Sequence, residues 1–454
     1  MSFPKHAKYI DSGIDWLGQI PSHWTLKRLR FAAELNPSKS EVSHLAADTE
    51  VSFLPMEAIG EDGGVELDRV RPLADVQTGY TFFRDGDVTI AKITPCFENG
   101  KGAAMRGLCN GIGFGTTELI VARPKAAQTT STYLHWLFTS RPFRKAGEAF
   151  MYGAGGQKRV PDDFVRNFAI GFPPLPEQRH IVAFLEREIA KIDALAEEQR
   201  RLVELLKEKR QTVISQAVTK GLNPSAPMKD SGVAWIGKVP AHWTPMPIRL
   251  AARLESGHTP SRSRPDWWVD CTVPWFTLAD VWQIRTGGAD VVYETKEMVS
   301  ELGLANSSAR RLPKGTVMLS RTASVGFSAI MGVDMATTQD FANWVCGEAL
   351  LPEFLLCVFR SMSGEFRRLM MGSTHNTIYM PDIQAFRFAL PPIEEQRAIV
   401  AYVRQTTERF DALTAEAHRG VELLLERRAA LISAAVTGKI DVRSLSPQPE
   451  AEVA

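Results

Sequence analysis

The chain contains itself twice, and that constrains its fold more than any other feature. Asp11-Ser-Gly-Ile-Asp-Trp-Leu-Gly-Gln-Ile-Pro-Ser-His-Trp24 returns as Asp230-Ser-Gly-Val-Ala-Trp-Ile-Gly-Lys-Val-Pro-Ala-His-Trp243, an offset of 219 with eight of fourteen positions identical. Pro173-Pro-Leu-Pro-Glu-Gln-Arg-His-Ile-Val-Ala183 matches Pro391-Pro-Ile-Glu-Glu-Gln-Arg-Ala-Ile-Val-Ala401 at an offset of 218. Val203-Glu-Leu-Leu206 and Val213-Ile-Ser-Gln-Ala-Val-Thr219 recur at the same offset, as Val421-Glu-Leu-Leu424 and Leu431-Ile-Ser-Ala-Ala-Val-Thr437. Between these matched ends, residues 26–172 and 245–390 differ strongly. A period this long is no solenoid repeat. It is a whole unit duplicated, each copy a variable domain followed by a repeated segment.

The repeated segment reads as a long helix. Residues 177–220 are rich in Ala, Leu, Glu, Lys, Arg and Gln, with no interior Gly or Pro. Prolines precede them and Gly221 follows, the usual start and stop asymmetry. A heptad frame through Val182, Leu185, Ile189, Ile192, Ala196, Gln199, Val203, Leu206, Arg210, Val213 and Ala217 is apolar at nine of eleven positions. Its copy, from Val400 to Ala435, is apolar at eight of eleven. A 3.5-residue apolar repeat sustained this long predicts a coiled-coil seam, and two copies predict that the helices pack on each other. Both seams carry an Arg at the same place, Arg210 and Arg428, and Gly420 predicts a kink or break in the second. At 1.5 Å per residue such a helix is roughly 66 Å long, a rigid spacer.

The fold class expected is α+β: two tandem mixed α/β domains, each followed by a long helix. The boundaries are 1–172 and 223–390 for the domains, 173–222 and 391–440 for the helices, and 441–454 for a tail expected to be disordered. Within the domains, residues 86–92 and 315–321 read as a turn and a strand ending in a cation, Lys92 or Arg321. Residues 114–123 read as one further strand, residues 132–149 as a helix, and residues 351–371 as its counterpart.

Lys and Arg number 53 against 52 Asp and Glu, so the net charge is +1. That excludes a globally basic nucleic-acid coat but leaves room for a local basic face. Five cysteines, without a C-x-x-C pair, predict reduced thiols in a cytoplasmic chain. No run of 18 apolar residues predicts a membrane span, and the start lacks a secretory h-region. After the helix of each domain comes a polar loop, Gly153-Ala-Gly-Gly-Gln-Lys-Arg159 and Gly372-Ser-Thr-His-Asn376. Residues 141–166 hold six cations against three acids, and residues 360–387 four against two. Glycine lets backbone approach a surface, and Arg, Lys, Gln and Asn contact phosphates and base edges. With cations elsewhere in each domain, the candidate nucleic-acid contacts are Lys92, Lys101, Gln157, Lys158 and Arg159 in the first domain. In the second they are Arg262, Arg264, Arg321, His375 and Asn376.

Taken together, the paired W-[IL]-G-x-[IV]-P-x-H-W segments at Trp16 and Trp235, the paired P-P-[LI]-x-E-Q-R, and the paired helices ending in Ala-Val-Thr resemble the specificity subunit of type I restriction-modification systems. The likeness covers residues 8–440. It implies two target-recognition domains, each reading half of a split double-stranded DNA site, joined by an antiparallel pair of helices. It implies a subunit without chemistry of its own, docking two methyltransferase subunits that carry S-adenosylmethionine, with restriction (translocase-nuclease) subunits that use ATP and magnesium. Residues 53–60 resemble one style of recognition domain; residues 257–261 with 274–276 resemble another.

Three rivals are weaker. An adenine methyltransferase needs Asn or Asp before Pro-Pro-aromatic, which neither Phe172-Pro-Pro-Leu175 nor Leu390-Pro-Pro-Ile393 supplies. A magnesium-dependent nuclease could use Asp266, Glu294 and Lys296 in a loose P-D…E-x-K pattern. A helical scaffold unconnected to DNA is compatible with the near-zero charge. Trp16, His23 and Trp24, with Trp235, His242 and Trp243, read as packing anchors. Two histidines without a neighbouring carboxylate pair make a poor metal site.

Overall fold

The computed structural model describes residues 3–61, 63–154, 156–285, 289–370 and 376–445. The chain divides into two compact units, Met1–Gln199 with Arg419–Ala454, and Arg200–His418. The division falls inside both long helices. Each unit thus owns one variable domain, half of the first helix and half of the second.

In the first unit a four-stranded antiparallel sheet runs Ala33–Leu35, Leu119–Pro124, Val88–Ala91, Gly102–Ala104. A second sheet runs Val70–Pro72, Glu50–Leu54, Ile112–Gly115, Thr81–Arg84, with the middle pair parallel. The second unit repeats this plan despite its unlike sequence. Ala252–Ser256, Phe341–Cys346, Val317–Ser320 and Ser328–Met331 form the antiparallel sheet, and Val291–Val292 adds a parallel edge. Glu297–Val299, Val273–Phe276 and Ala336–Thr337 form the other, again with one parallel pair. The segments that suggest two styles, around Phe53 and around Trp275, are the same strand of that sheet, each followed by a 3-10 turn (Met56–Ala58, Leu278–Asp280).

A two-stranded ribbon closes each domain just before its long helix. Thr25–Arg28 pairs with Ala169–Phe172, and Thr244–Pro247 with Arg387–Leu390. The long helices are Leu175–Lys220 and Ile393–Val436. All twenty-two heptad positions are buried or half-buried. In the first unit Leu185, Ile189 and Ile192 share a core with Leu431, Ile432 and Ala435; in the second, Ile214, Ala217 and Val218 share one with Ile399 and Val403. The early residues of one helix meet the late residues of the other, so the packing is antiparallel. The seam arginines confirm the register. Arg428 bonds Asp193 (Nε to Oδ1, 3.0 Å) in the first unit, and Arg210 bonds Asp411 (3.1 Å) in the second. Arg428 and Asp411 lie 218 residues beyond Arg210 and Asp193, so the second pair is the duplicate of the first.

The repeated motifs meet at the helix ends. Trp24 Nε1 donates to Glu177 Oε1 (3.1 Å), and His23 Nε2 lies 2.7 Å from Glu177 Oε2. Trp243 and His242 likewise hold Glu395, both at Oε2, at 3.0 and 2.8 Å. Gly438 ends the second helix at φ +72°, where a Cβ would come within 2.5 Å of Pro21 and 3.1 Å of Trp24. Gly221 ends the first at φ +70°, with a Cβ position 3.2 Å from Trp243. Left-handed backbone and close approach both require glycine there. Next to each Glu, the buried Gln locks helix to domain. Gln178 donates to the carbonyls of Gln128 and Pro173 and accepts from Thr129 Oγ1. Gln396 donates to those of Ala349 and Pro391 and accepts from the Leu351 N–H.

Five expectations need correction. Residues 114–123 are not one strand: Ile112–Gly115 lies in one sheet and Leu119–Pro124 in the other, because the chain crosses between sheets at residues 116–118. The helix over 132–149 is two, Ser131–Thr139 and Arg141–Phe150, broken at Ser140 (ψ 141°), where Pro142 starts the second. Its counterpart is likewise split into Pro352–Ser361 and Ser363–Leu369, at Met362. The second long helix continues unbroken through Gly420, since one glycine costs about 1 kcal/mol and the seam outweighs it. Residues 441–445, assigned to the tail, are packed: Val442 is buried in the first unit's core and the Asp441 N–H donates to the Pro4 carbonyl (2.8 Å). Residues 446–454 lie outside the described residues.

Gln178 is fully buried with three hydrogen bonds. Gln178→Ala will cost the first unit about 2–3 kcal/mol, because a buried carbonyl and a part-buried one lose their donor. Gln396→Ala will do the same to the second, and hydrogen exchange resolved by segment will assign each loss to its own unit.

Candidate nucleic-acid interface

The polar loops are held by the same backbone frame in both units. In the first, the Lys92 N–H donates to the Glu118 carbonyl, the Val160 N–H to the Lys92 carbonyl, and the Thr94 N–H to the Lys158 carbonyl, at 2.8–2.9 Å. In the second, the Arg321 N–H donates to Asp340, the Ile378 N–H to Arg321, and the Ala323 N–H to Asn376, again at 2.8–2.9 Å. Isolated bridges join Ile93 to Arg159 and Thr322 to Thr377. Lys92 thus corresponds to Arg321, Lys158 to Asn376, Arg159 to Thr377 and Glu118 to Asp340. The frame is shared and its side chains are not.

In the first unit the frame brings the candidate residues together. Tyr152 and Arg159 exchange backbone hydrogen bonds (3.1 and 2.8 Å) and close the loop between them. Gly153 (φ +137°) admits no side chain there, because a Cβ would sit 2.4 Å from the Gln157 carbonyl. Gln157 and Lys158 are exposed. Arg159 is committed elsewhere: its Nε and Nη2 grip the Glu118 carboxylate at 2.9 and 2.7 Å. That hydrogen bond holds the Glu118 carboxyl below the usual carboxylate range, and Lys92 adds to the effect. Lys101 is half-buried, its Nζ donating to the Met56 carbonyl (3.3 Å) and its own carbonyl accepting from Ala91 beside Lys92.

In the second unit the candidates fall into two groups. Arg321 turns its guanidinium onto the carbonyls of Gln339 (2.9 Å) and Ile378 (3.3 Å) and braces the exposed Asn376 segment. Arg262 bonds Glu297 (2.6 Å) and lies over the Trp268 ring at 3.9 Å. Arg264 forks onto Asp266 at 3.2 and 3.0 Å and lies over Trp267. Thr259, just before them, bonds Gln339 and so links the two groups (2.8 Å). His375 lies outside the described residues. The Arg264 fork also lowers the Asp266 carboxyl. Glu294 and Lys296 are exposed, and Lys296 gives its N–H to Asp280. With its acid engaged by Arg264, the nuclease reading is not favoured.

Sequence reasoning missed Glu118, one residue before a core strand, because nothing local marks an acid as the partner of a loop dozens of residues away; its counterpart Asp340 meets Arg321 through its carbonyl, while its carboxylate accepts from Thr338. It quoted Glu177 and Glu395 within a repeated motif without seeing that they bind the His-Trp pairs.

Two unlike domains on one frame, each closed against paired antiparallel helices, define an internally duplicated protein with two variable heads. A family model described as the type I restriction modification DNA specificity domain matches residues 75–205 and 243–423, well over half of the chain. The chain belongs to that family. It is 46% identical over 189 residues to the type I restriction enzyme EcoAI specificity subunit of Escherichia coli, a stretch covering 41% of this chain and 31% of that one. The chain therefore matches under a third of that relative's length. In fold it is similar to a chain from a solved structure on complex assembly and conformational transition of the type I R-M system (TM-score 0.74, 21% identity, 92% of this chain and 98% of that one). It is also similar to the HsdS subunit from Thermoanaerobacter tengcongensis (TM-score 0.57, 20% identity, 92% and 98%).

Not every ion pair near the frame is structural to the same degree. The Arg159–Glu118 pair is partly exposed, whereas Asp87 is buried under Arg123, which also grips Glu41 (2.6 Å). Arg159→Ala will therefore change stability little. Asp87→Ala will cost about 3 kcal/mol, because it strips a buried cation of one partner. Urea unfolding of the two variants will separate them.

Proposed function

We propose that this chain is the DNA-reading specificity subunit of a type I restriction-modification complex. Each variable domain contacts one half of a split duplex target. The two domains carry unlike side chains on one frame, so the target is asymmetric and bipartite. The chain performs no chemistry itself and carries no catalytic cofactor. Methyltransferase subunits bring S-adenosylmethionine, and translocase-nuclease subunits bring ATP and magnesium. The complex acts on double-stranded DNA in the cytoplasm.

The observation that carries this reading is the replacement of Lys158 and Arg159 by Asn376 and Thr377 at matched positions of an otherwise shared frame. A scaffold indifferent to sequence has no reason to keep the backbone and change the side chains that face out of it. Base contacts specify and phosphate contacts position. The exposed Gln157 and Lys158, with Asn376, are the first choices for DNA contact. Arg159 and Arg321, whose guanidinium groups already hold protein acceptors, position those loops. Lys92, Lys101, Arg262 and Arg264 supply the cationic surround.

The helices support the docking of two methyltransferase subunits. Each unit leaves three leucines exposed on its helical halves: Leu195, Leu423 and Leu425 in one, Leu202, Leu205 and Leu413 in the other. Leu413 and Leu423 lie 218 residues beyond Leu195 and Leu205, so the exposure is duplicated with the chain. Equivalent apolar patches suit two copies of one partner.

Two results are expected. Lys158→Ala will weaken binding of the assembled methyltransferase complex on all sequences alike and reduce its salt slope by about one; relaxation at a single base pair would instead mark Lys158 as a base reader. Deleting one heptad from each long helix, in register, removes about 10 Å of helix. Methylome sequencing of cells carrying that variant will show a shorter gap between the half-sites, and an unchanged gap refutes the spacer role.

A further inference from the structure

His6 is out of place as an ordinary core residue. Its side chain is 2% exposed, yet neither ring nitrogen has a hydrogen-bond partner. Buried polar groups are nearly always paired, so an orphaned imidazole asks for a ligand. Its backbone is fixed: the His6 N–H donates to the Tyr9 hydroxyl, which donates to the Gly438 carbonyl, both at 3.1 Å. The ring packs edge-on to Trp24.

The ring faces the His23–Glu177 contact. His6 Nε2 lies 3.9 Å from Glu177 Oε1, and His23 Nε2 lies 2.7 Å from Glu177 Oε2. One ligand atom from each of the three falls within 4.8 Å of the others, and no other group of three or more His, Cys, Asp or Glu side chains does this among the described residues. Ligand atoms about 2.0–2.1 Å from a tetrahedral zinc ion stand about 3.3 Å apart. The two distances, one to each Glu177 oxygen, fall on either side of that value. On the far side of the ring, His6 Nδ1 lies 3.7 Å from Asp441 Oδ2. A metal-bound imidazole commonly turns its other N–H to a carboxylate, which fixes the tautomer. His23 is about one-third exposed, which leaves a way in and room for a water as fourth ligand.

We infer that His6, His23 and Glu177 form a site for a divalent transition ion of the zinc class, with Asp441 orienting His6 from behind. Two imidazoles and a carboxylate are donors that such ions prefer over magnesium or calcium. The ion takes the place of the proton between His23 and Glu177 and releases it to water. It clasps three stretches of the first unit: the N-terminal segment, the start of the variable domain and the start of the first long helix. The carboxylate that sequence reading found lacking arrives from 154 residues away.

The duplication supplies an internal control. In the second unit His242, Trp243 and Glu395 repeat the contacts of His23, Trp24 and Glu177. The residue at the place of His6, 219 positions on, is Ser225. That copy lacks the third ligand, so the chain takes one ion and not two.

The test uses the full chain, stripped with EDTA and titrated with zinc by calorimetry, and with cobalt(II) followed by visible absorption. One ion per chain and the intense bands of four-coordinate cobalt are expected. His6→Gln will abolish both, His242→Gln will leave both intact, and Asp441→Asn will weaken binding about 10–100-fold. Zinc will raise the melting temperature of the wild type and of His242→Gln but not of His6→Gln. His23→Gln, on the open side, gives a second loss-of-site variant should His6→Gln fold poorly. No stoichiometric binding by the wild type overturns the site, as does equal binding by the His6→Gln and His242→Gln variants.

Discussion

The bond from a buried tryptophan to the first-turn glutamate of a long helix is the contact on which each unit depends. Trp24 with Glu177, and Trp243 with Glu395, join the beginning of a domain to the helix that leaves it. The tryptophans and Glu177 are buried and Glu395 is half-buried, so the acceptor is poorly served by water and the indole N–H replaces that hydration. The same ring packs against the glycine that ends the other helix. One aromatic side chain therefore sets where one helix starts and where the other stops. The neighbouring glutamine completes the lock by holding carbonyls of the domain. This is why W…P-x-H-W and P-P-x-x-E-Q-R travel together through the duplication while the interiors drift.

With the ends fixed, the seam decides the rest. Two arginine–aspartate pairs, copies of each other, sit among apolar heptad positions. Such half-exposed pairs add little stability. Their use is in register, since a slip of one turn would face cations with alkyl groups. The variable domains share the order of their common strands, and their outer loops can change because most of the hydrogen bonds that hold them run between main-chain groups.

The duplication, the helix bounds and the seam were legible in the sequence, because repetition and a 3.5-residue period are local signals. The strands before Lys92 and Arg321 were legible for the same reason, each announced by a positive-φ glycine, Gly86 and Gly315. The shared plan of the two domains was not. The strand around Phe53 and the strand around Trp275 share position and pairing but not composition. The sheet crossing at residues 116–118 was hidden because Phe114 to Arg123 is apolar enough to pass for one strand. Within the candidate interface, local cues found the exposed Gln157, Lys158 and Asn376. They could not show that Arg159 is spent on Glu118 or Arg321 on two carbonyls, since those partners are set by tertiary pairing. The gathering of His6, His23 and Glu177 was invisible for the same reason.

Each unit is assembled from both ends of the two helices, and that governs when it can fold during synthesis. Asp193 finds Arg428 only after 235 further residues have left the ribosome. Until then the first domain emerges with a bare helical stripe, Leu185, Ile189 and Ile192, that has no mate. The second unit, whose Arg210 awaits only Asp411, closes sooner. The part of the protein made first is thus completed last, and a nascent chain must keep that stripe from sticking elsewhere in the meantime.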